Sequence, residues 1–159
     1  MRRFIAIASA VFFVSAAVAA GPSKTEFVSG DGFLRSSFGI SVEFSIEASQ
    51  RDPGSPDGLL AASFYSFPQH LFMTLESTEL HSVEVDRRRG EVRGSATVSD
   101  ARTDFEGVVE FHAIFEDLDG RGKNQSQNDA MIITVSLPTG AETFAGVIVP
   151  GGVDVGTRK

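Results

Sequence analysis

The chain has no cysteine and no tryptophan, a single tyrosine (Tyr65), and fewer basic than acidic residues, 14 against 21. Without cysteine there is no disulfide framework and no lipoprotein acylation site, so small disulfide-stapled scaffolds are excluded. Without tryptophan, and with one tyrosine, little is left for a carbohydrate-stacking platform of the usual kind. The net charge of −7 argues against nucleic acid or anionic lipid as the partner, because both need a basic face. No HExxH, GxSxG, phosphate-loop or dinucleotide fingerprint occurs. Nor do apolar residues recur at i, i+3, i+4 and i+7, so no amphipathic helix is expected.

The N-terminus carries its own signal. Met1-Arg2-Arg3 is a positive start, residues 4–14 are an uncharged apolar run, and Val18-Ala19-Ala20 offers the small residues a signal peptidase reads. The run is short for a bilayer span, which favours a cleaved leader over residues 1–20 and a periplasmic or extracellular protein. Loss of Arg2 and Arg3 with the leader takes the net charge to −9. The remaining residues 21–159 fit one domain, large enough to fold on its core alone. No later segment is long and apolar enough to cross a membrane.

The rest of the chain alternates. In residues 38–48, Phe38, Ile40, Val42, Phe44, Ile46 and Ala48 are interleaved with Gly39, Ser41, Glu43, Ser45 and Glu47, one face for a core and one for water. The same period of two runs through 70–76, 79–86, 91–99, 105–116, 130–137, 144–149 and 153–155, while 59–67 is apolar on both faces. Between these lie turn signals: Asp52-Pro53-Gly54, Pro56-Asp57-Gly58, Pro138-Thr139-Gly140 and Pro150-Gly151-Gly152. Arg87-Arg88-Arg89-Gly90 reads as a charged hairpin turn, with Gly90 available for a positive-φ position. Short strands with turns every 8–12 residues predict an all-β domain, a single antiparallel β-sandwich, with a small β-barrel as the alternative. Fourteen phenylalanines fall mostly on core faces.

The stretch 105–135 organises the chain: two strands joined by an acidic loop. Loop 117–129 holds Asp117, Asp119, Asn124 and Asp129 around Gly120 and Gly122. Closely spaced Asp and Asn oxygens on a Gly-bent loop are what Ca²⁺ takes, and these four are the candidate metal ligands. The match to an EF-hand loop is poor, since glycine falls early, no glutamate closes the loop, and Arg121 and Lys123 bring positive charge. The plainer reading is a solvated hairpin tip held by Asx turns. No other cofactor is implied. Of the three histidines, His70, His81 and His112, none lies within five residues of another, which disfavours zinc. Glu110 and His112 share a strand face and are the candidate general base of a small-barrel lyase or isomerase.

Several segments resemble the bacterial post-COAP domain. These are Gly30-Asp31-Gly32-Phe33 with Phe38-Gly39-Ile40, then the 93–98 strand Arg-Gly-Ser-Ala-Thr-Val, the 111–117 strand end, Asp129-Ala130-Met131-Ile132-Ile133, and Gly151-Gly152-Val153-Asp154-Val155. The likeness departs after Asp129, where aromatic and basic residues are missing, and at Val153-Asp154, where Asn-Ile is usual. The resemblance implies export, a β fold and no catalytic activity. It assigns no residue a role.

The expectation is therefore an exported, non-enzymatic β-sandwich acting as a structural or binding module outside the cytoplasm, with an extracellular protein or a glycan as partner. The first alternative is a ligand-binding module stabilised by Ca²⁺ at the 117–129 loop. The second is the Glu110/His112 enzyme.

Overall fold

The computed structural model describes residues 23–36, 39–52, 54–66, 70–118 and 129–159; the leader assigned to residues 1–20 lies outside them. Eight strands follow in order: β1 (Lys24–Arg35), β2 (Ile40–Asp52), β3 (Pro56–Ser66), β4 (His70–Asp86), β5 (Arg89–Asp100), β6 (Phe105–Glu116), β7 (Ala130–Leu137) and β8 (Gly140–Arg158). Each pairs antiparallel with the next, and β8 pairs with β1 to close an up-and-down barrel. The all-β expectation holds; the sandwich does not. Alternation reports one buried face per strand, and in a closed barrel the buried faces turn to a common interior instead of meeting across two layers.

That interior is filled. Val28, Leu34, Val42, Phe44, Ile46, Leu60, Phe64, Leu75, Val92, Phe115, Met131, Ile133, Ile148 and Val153 are all buried. Phe64, Phe72 and Phe144 form an aromatic cluster with centroids 4.7–6.5 Å apart, and Phe44 meets Phe115 at 5.9 Å. On the apolar faces of β6 and β7, Val109, Phe111, Phe115, Ile133 and Val135 are buried, with Phe105 only partly covered. Gly90 is needed for room, not for the turn. A Cβ there would sit 2.3 Å from Val28 Cγ2, while the positive φ of the hairpin belongs to Arg87.

Two elements are longer than alternation suggests. The segments 70–76 and 79–86 are one strand, β4. The register shifts against β3 and β5 leave Phe72, Thr78 and His81 as extra residues. Each such bulge inverts the inward–outward phase, so the strand reads as two. Phe72 turns inward to cap the aromatic cluster. Likewise Pro150-Gly151-Gly152, expected as a turn, is a bend within β8. There Gly151 (φ 115°) faces Gly32, and a Cβ on Gly151 would meet the Asp31 carbonyl at 2.1 Å.

Side chains complete the ladder where strands part. β3 pairs with β4 only from Ala61 to Ser66. Beyond that, Leu60 N–H donates to Ser77 Oγ (2.8 Å), Val83 N–H to Gln50 Oε1 (2.9 Å) and Val85 N–H to Glu26 Oε2 (3.1 Å). Unpaired backbone donors are costly when covered, which accounts for polar residues at these inward-leaning places.

Candidate functional site

The outer wall mixes charged and polar side chains with exposed apolar ones such as Leu59, Leu71, Val108 and Val147, and one part of it is concave. Strand register lines up two adjacent rungs of outward side chains. The first runs Phe33, Glu43, Ser63, Thr74, Ser99, Glu106 across β1 to β6. The second runs Asp31, Ser45, Ala61, Glu76, Thr97 across β1 to β5. Together with Pro150 they line a groove of about 790 Å³. Ser45, Ala61, Ser63, Thr74 and Ser99 make the floor, and Phe33, Glu43 and Glu106 stand toward the ends of the first rung. Six strands at about 4.8 Å spacing carry the groove over roughly 24 Å.

Among the described residues, four carboxylates (Asp31, Glu43, Glu76 and Glu106) and five hydroxyls line it, and no Arg, Lys or His does. Tyr65 Oη donates to Glu43 Oε2 at 3.2 Å, steadying that carboxylate at one end. Next to it a second hollow of about 480 Å³ shares Phe33, Glu43 and Pro150 and adds Tyr65 and Arg35. Ligands occupy concave sites of this size. Neither rung is visible without the register: the chain spaces these residues over 75 positions, and only strand pairing brings them into line.

The residues expected to carry chemistry are arranged differently. Glu110 and His112 do not pair with each other. His112 Nε2 is 3.1 Å from Glu91 Oε2 across the β5–β6 ladder. Partial burial works against the charged form of Glu91. The His112 hydrogen bond, the charge of Arg89 and the Arg93 hydrogen bond outweigh it and hold the carboxyl below its ordinary value. Glu110 instead meets Ser95, its partner across the same ladder, and His81 on β4. Ser95 faces Glu110 directly across the ladder at about 5 Å, closer than the roughly 6.7 Å between Glu110 and His112, while Glu91 reaches His112 along a diagonal of the same ladder. Register therefore decides the pairing.

Among the candidate metal ligands, Asp119 and Asn124 lie outside the described residues, and Asp117 and Asp129 are buried. Both oxygens of Asp129 accept backbone hydrogen bonds, Oδ1 from Leu118 N–H (3.1 Å) and Oδ2 from Val153 N–H (2.8 Å). Its own carbonyl accepts from Ile148 N–H at 2.7 Å. Asp129 thus ties the end of β6, the start of β7 and the bend of β8. Among the described residues no group of three or more His, Asp or Glu could hold a metal ion.

Another buried carboxylate, Asp100, closes the opposite rim. Asp100 is paired bidentately with Arg102 (Oδ1–Nε 3.0 Å, Oδ2–Nη2 2.9 Å), and Arg102 also donates to Glu142 at 2.8 Å. The guanidinium lies 4.2 Å from the Phe72 ring centroid, over the aromatic cluster. Its hydrogen bonds hold the Asp100 carboxyl below the ordinary value against the opposing effect of burial.

No family model, no curated protein and no solved structure matches this chain.

Proposed function

We propose that the chain is an exported β-barrel binding module whose outer-wall groove takes an extended cationic ligand, such as a polyamine or a Lys/Arg-rich peptide segment. One observation carries this reading: the two-rung groove presents four carboxylates along about 24 Å with no basic side chain among its lining residues. A filled interior supports an outside site over a lipocalin-like cavity. The charged outer face supports a water-facing barrel, because a transmembrane barrel carries an apolar band outside. The net charge of −7 draws cations from a distance. The leader-like N-terminus and the resemblance to the post-COAP domain support action outside the cytoplasm without turnover.

Titration calorimetry with hexalysine and spermine, against cello-oligosaccharides as neutral glycan probes, tests the proposal. Hexalysine binds, and its affinity falls with salt. A Glu43→Gln/Glu76→Gln double variant removes two exposed ion pairs, about 1 kcal/mol, or roughly a fivefold loss. Binding of the neutral oligosaccharide alone, or an unchanged affinity in the double variant, refutes it.

A further inference from the structure

His81, Ser95 and Glu110 come from three different strands and meet on the outer wall. Ser95 and Glu110 face each other across the β5–β6 ladder, and His81 is the extra residue of a β4 bulge, skipped between the pairs Leu80–Gly94 and Ser82–Arg93. A bulge re-aims the inserted side chain. Here it brings His81 Nε2 to 3.2 Å from Ser95 Oγ, with His81 Nδ1 at 3.4 Å from Glu110 Oε2. The Ser95 hydroxyl donates to Glu110 Oε1 at 2.9 Å. Gly94 makes the approach feasible: a Cβ there would stand 2.2 Å from the Glu79 carbonyl and hold β4 away from β5.

A hydroxyl, an imidazole using both nitrogens and a carboxylate on the far nitrogen are the parts of an activated serine, recognised by geometry and not by chain order. We propose that Ser95 is an acyl-accepting nucleophile, activated by His81 and oriented through Glu110. With Nδ1–H directed to Glu110, rotation of the Ser95 hydroxyl from Glu110 Oε1 toward the imidazole places its proton on the lone pair of Nε2. Ser95 Oγ attacks the carbonyl carbon of an activated ester and its proton passes to Nε2. The bond to the leaving oxygen then breaks, the leaving group departs with the proton returned from Nε2, and Ser95 holds the acyl group as an ester. Nothing is oxidised or reduced. Ser95 lies two residues along β5 from Thr97, a groove-lining residue, so an acyl donor seated there is about 7 Å away. The side chains of His81 and Glu110 are 42% and 63% exposed. On so open a wall the chemistry is one slow acylation per chain and not rapid turnover, since preorganised, water-excluded stabilisation is what makes such sites fast.

The test uses p-nitrophenyl acetate on the full chain, a reagent that needs no groove, so its outcome is independent of the cationic-ligand reading. Peptide mapping by mass is expected to find one acetyl group, on Ser95, with release of one equivalent of p-nitrophenol. Ser95→Ala abolishes the adduct, and His81→Gln slows its formation about a hundredfold. The wild-type result is decisive without any variant. No adduct, adducts spread over other serines at comparable rates, or equal labelling in a folded His81→Gln chain overturns the proposal.

Discussion

Replacing Asp129 by alanine isolates the junction where β6, β7 and β8 converge. The carboxylate is fully buried and accepts two backbone N–H groups, from Leu118 at 3.1 Å and Val153 at 2.8 Å. A hydrogen bond to a charged acceptor contributes about 1.5–3 kcal/mol, and each covered donor left without a partner costs a comparable amount. The Val153 N–H is buried, so its loss is felt in full; the Leu118 N–H lies nearer solvent, where water replaces part of the bond. About 3–4 kcal/mol is expected for Asp129→Ala, a large share of the roughly 5–15 kcal/mol that holds a domain folded. At about 4 °C per kcal/mol for a domain of this size, the melting temperature falls by roughly 12–16 °C. Asp129→Asn keeps one acceptor oxygen but turns an NH₂ toward a donor, and loses about half as much. The measurement is urea unfolding at neutral pH, run in chelator and again in millimolar Ca²⁺. A structural tie predicts the same loss in both. A loss under 1 kcal/mol refutes the reasoning, and a loss confined to the calcium arm assigns Asp129 to the metal instead.

Two further outcomes follow from the rim and the bulged strand. Asp100 titrates below its ordinary value of 3.8 because Arg102 hydrogen-bonds its charged form. The stability this supplies is fully present above that ordinary value and disappears as pH falls through the lower folded value. Arg102→Met flattens this acid limb in melting curves taken against pH; a limb of unchanged steepness contradicts the assignment. Gly94→Ala brings a Cβ to 2.2 Å from the Glu79 carbonyl, a backbone atom that cannot swing aside. It lowers stability by about 1–3 kcal/mol in urea titration, as overpacked sites do, and an unchanged midpoint contradicts the close approach of β4.

Much of the barrel is legible in the sequence, and the losses have identifiable causes. β6 and β7 span the residues their alternation marks, because neither contains a bulge. β4 and β8 break the pattern without ending: three inserted residues shift the phase of one, and Pro150-Gly151 bends the other while pairing with β1 continues. Closure itself leaves no trace in alternation, since a sandwich strand and a barrel strand each hide one face. The groove was equally hidden. Glu43 and Glu106 stand 63 positions apart in the chain and share a rung only through four intervening registers. Glu110 misled for the same reason, because its spacing from His112 is visible in the chain and its closer neighbours on β4 and β5 are not. Asp117 and Asp129 carried a real signal, two acids bounding a polar loop, but burial gives Asp129 backbone partners that composition does not reveal.

The pairing of the first and last strands fixes an orientation. Thr25 sits beside Arg158, so β1 begins and β8 finishes on the same rim. Phe33 and its rung lie nine residues up β1 from Lys24, roughly 30 Å toward the other rim. A fluorophore, affinity tag or carrier protein joined at either of these strand ends therefore projects from the rim opposite the groove. Immobilising the protein through such a fusion leaves the acidic face pointing away from the support, and joining the two ends by a short linker allows the chain to be reopened at the Arg87-Arg88 turn, on the rim away from the groove, with that face intact.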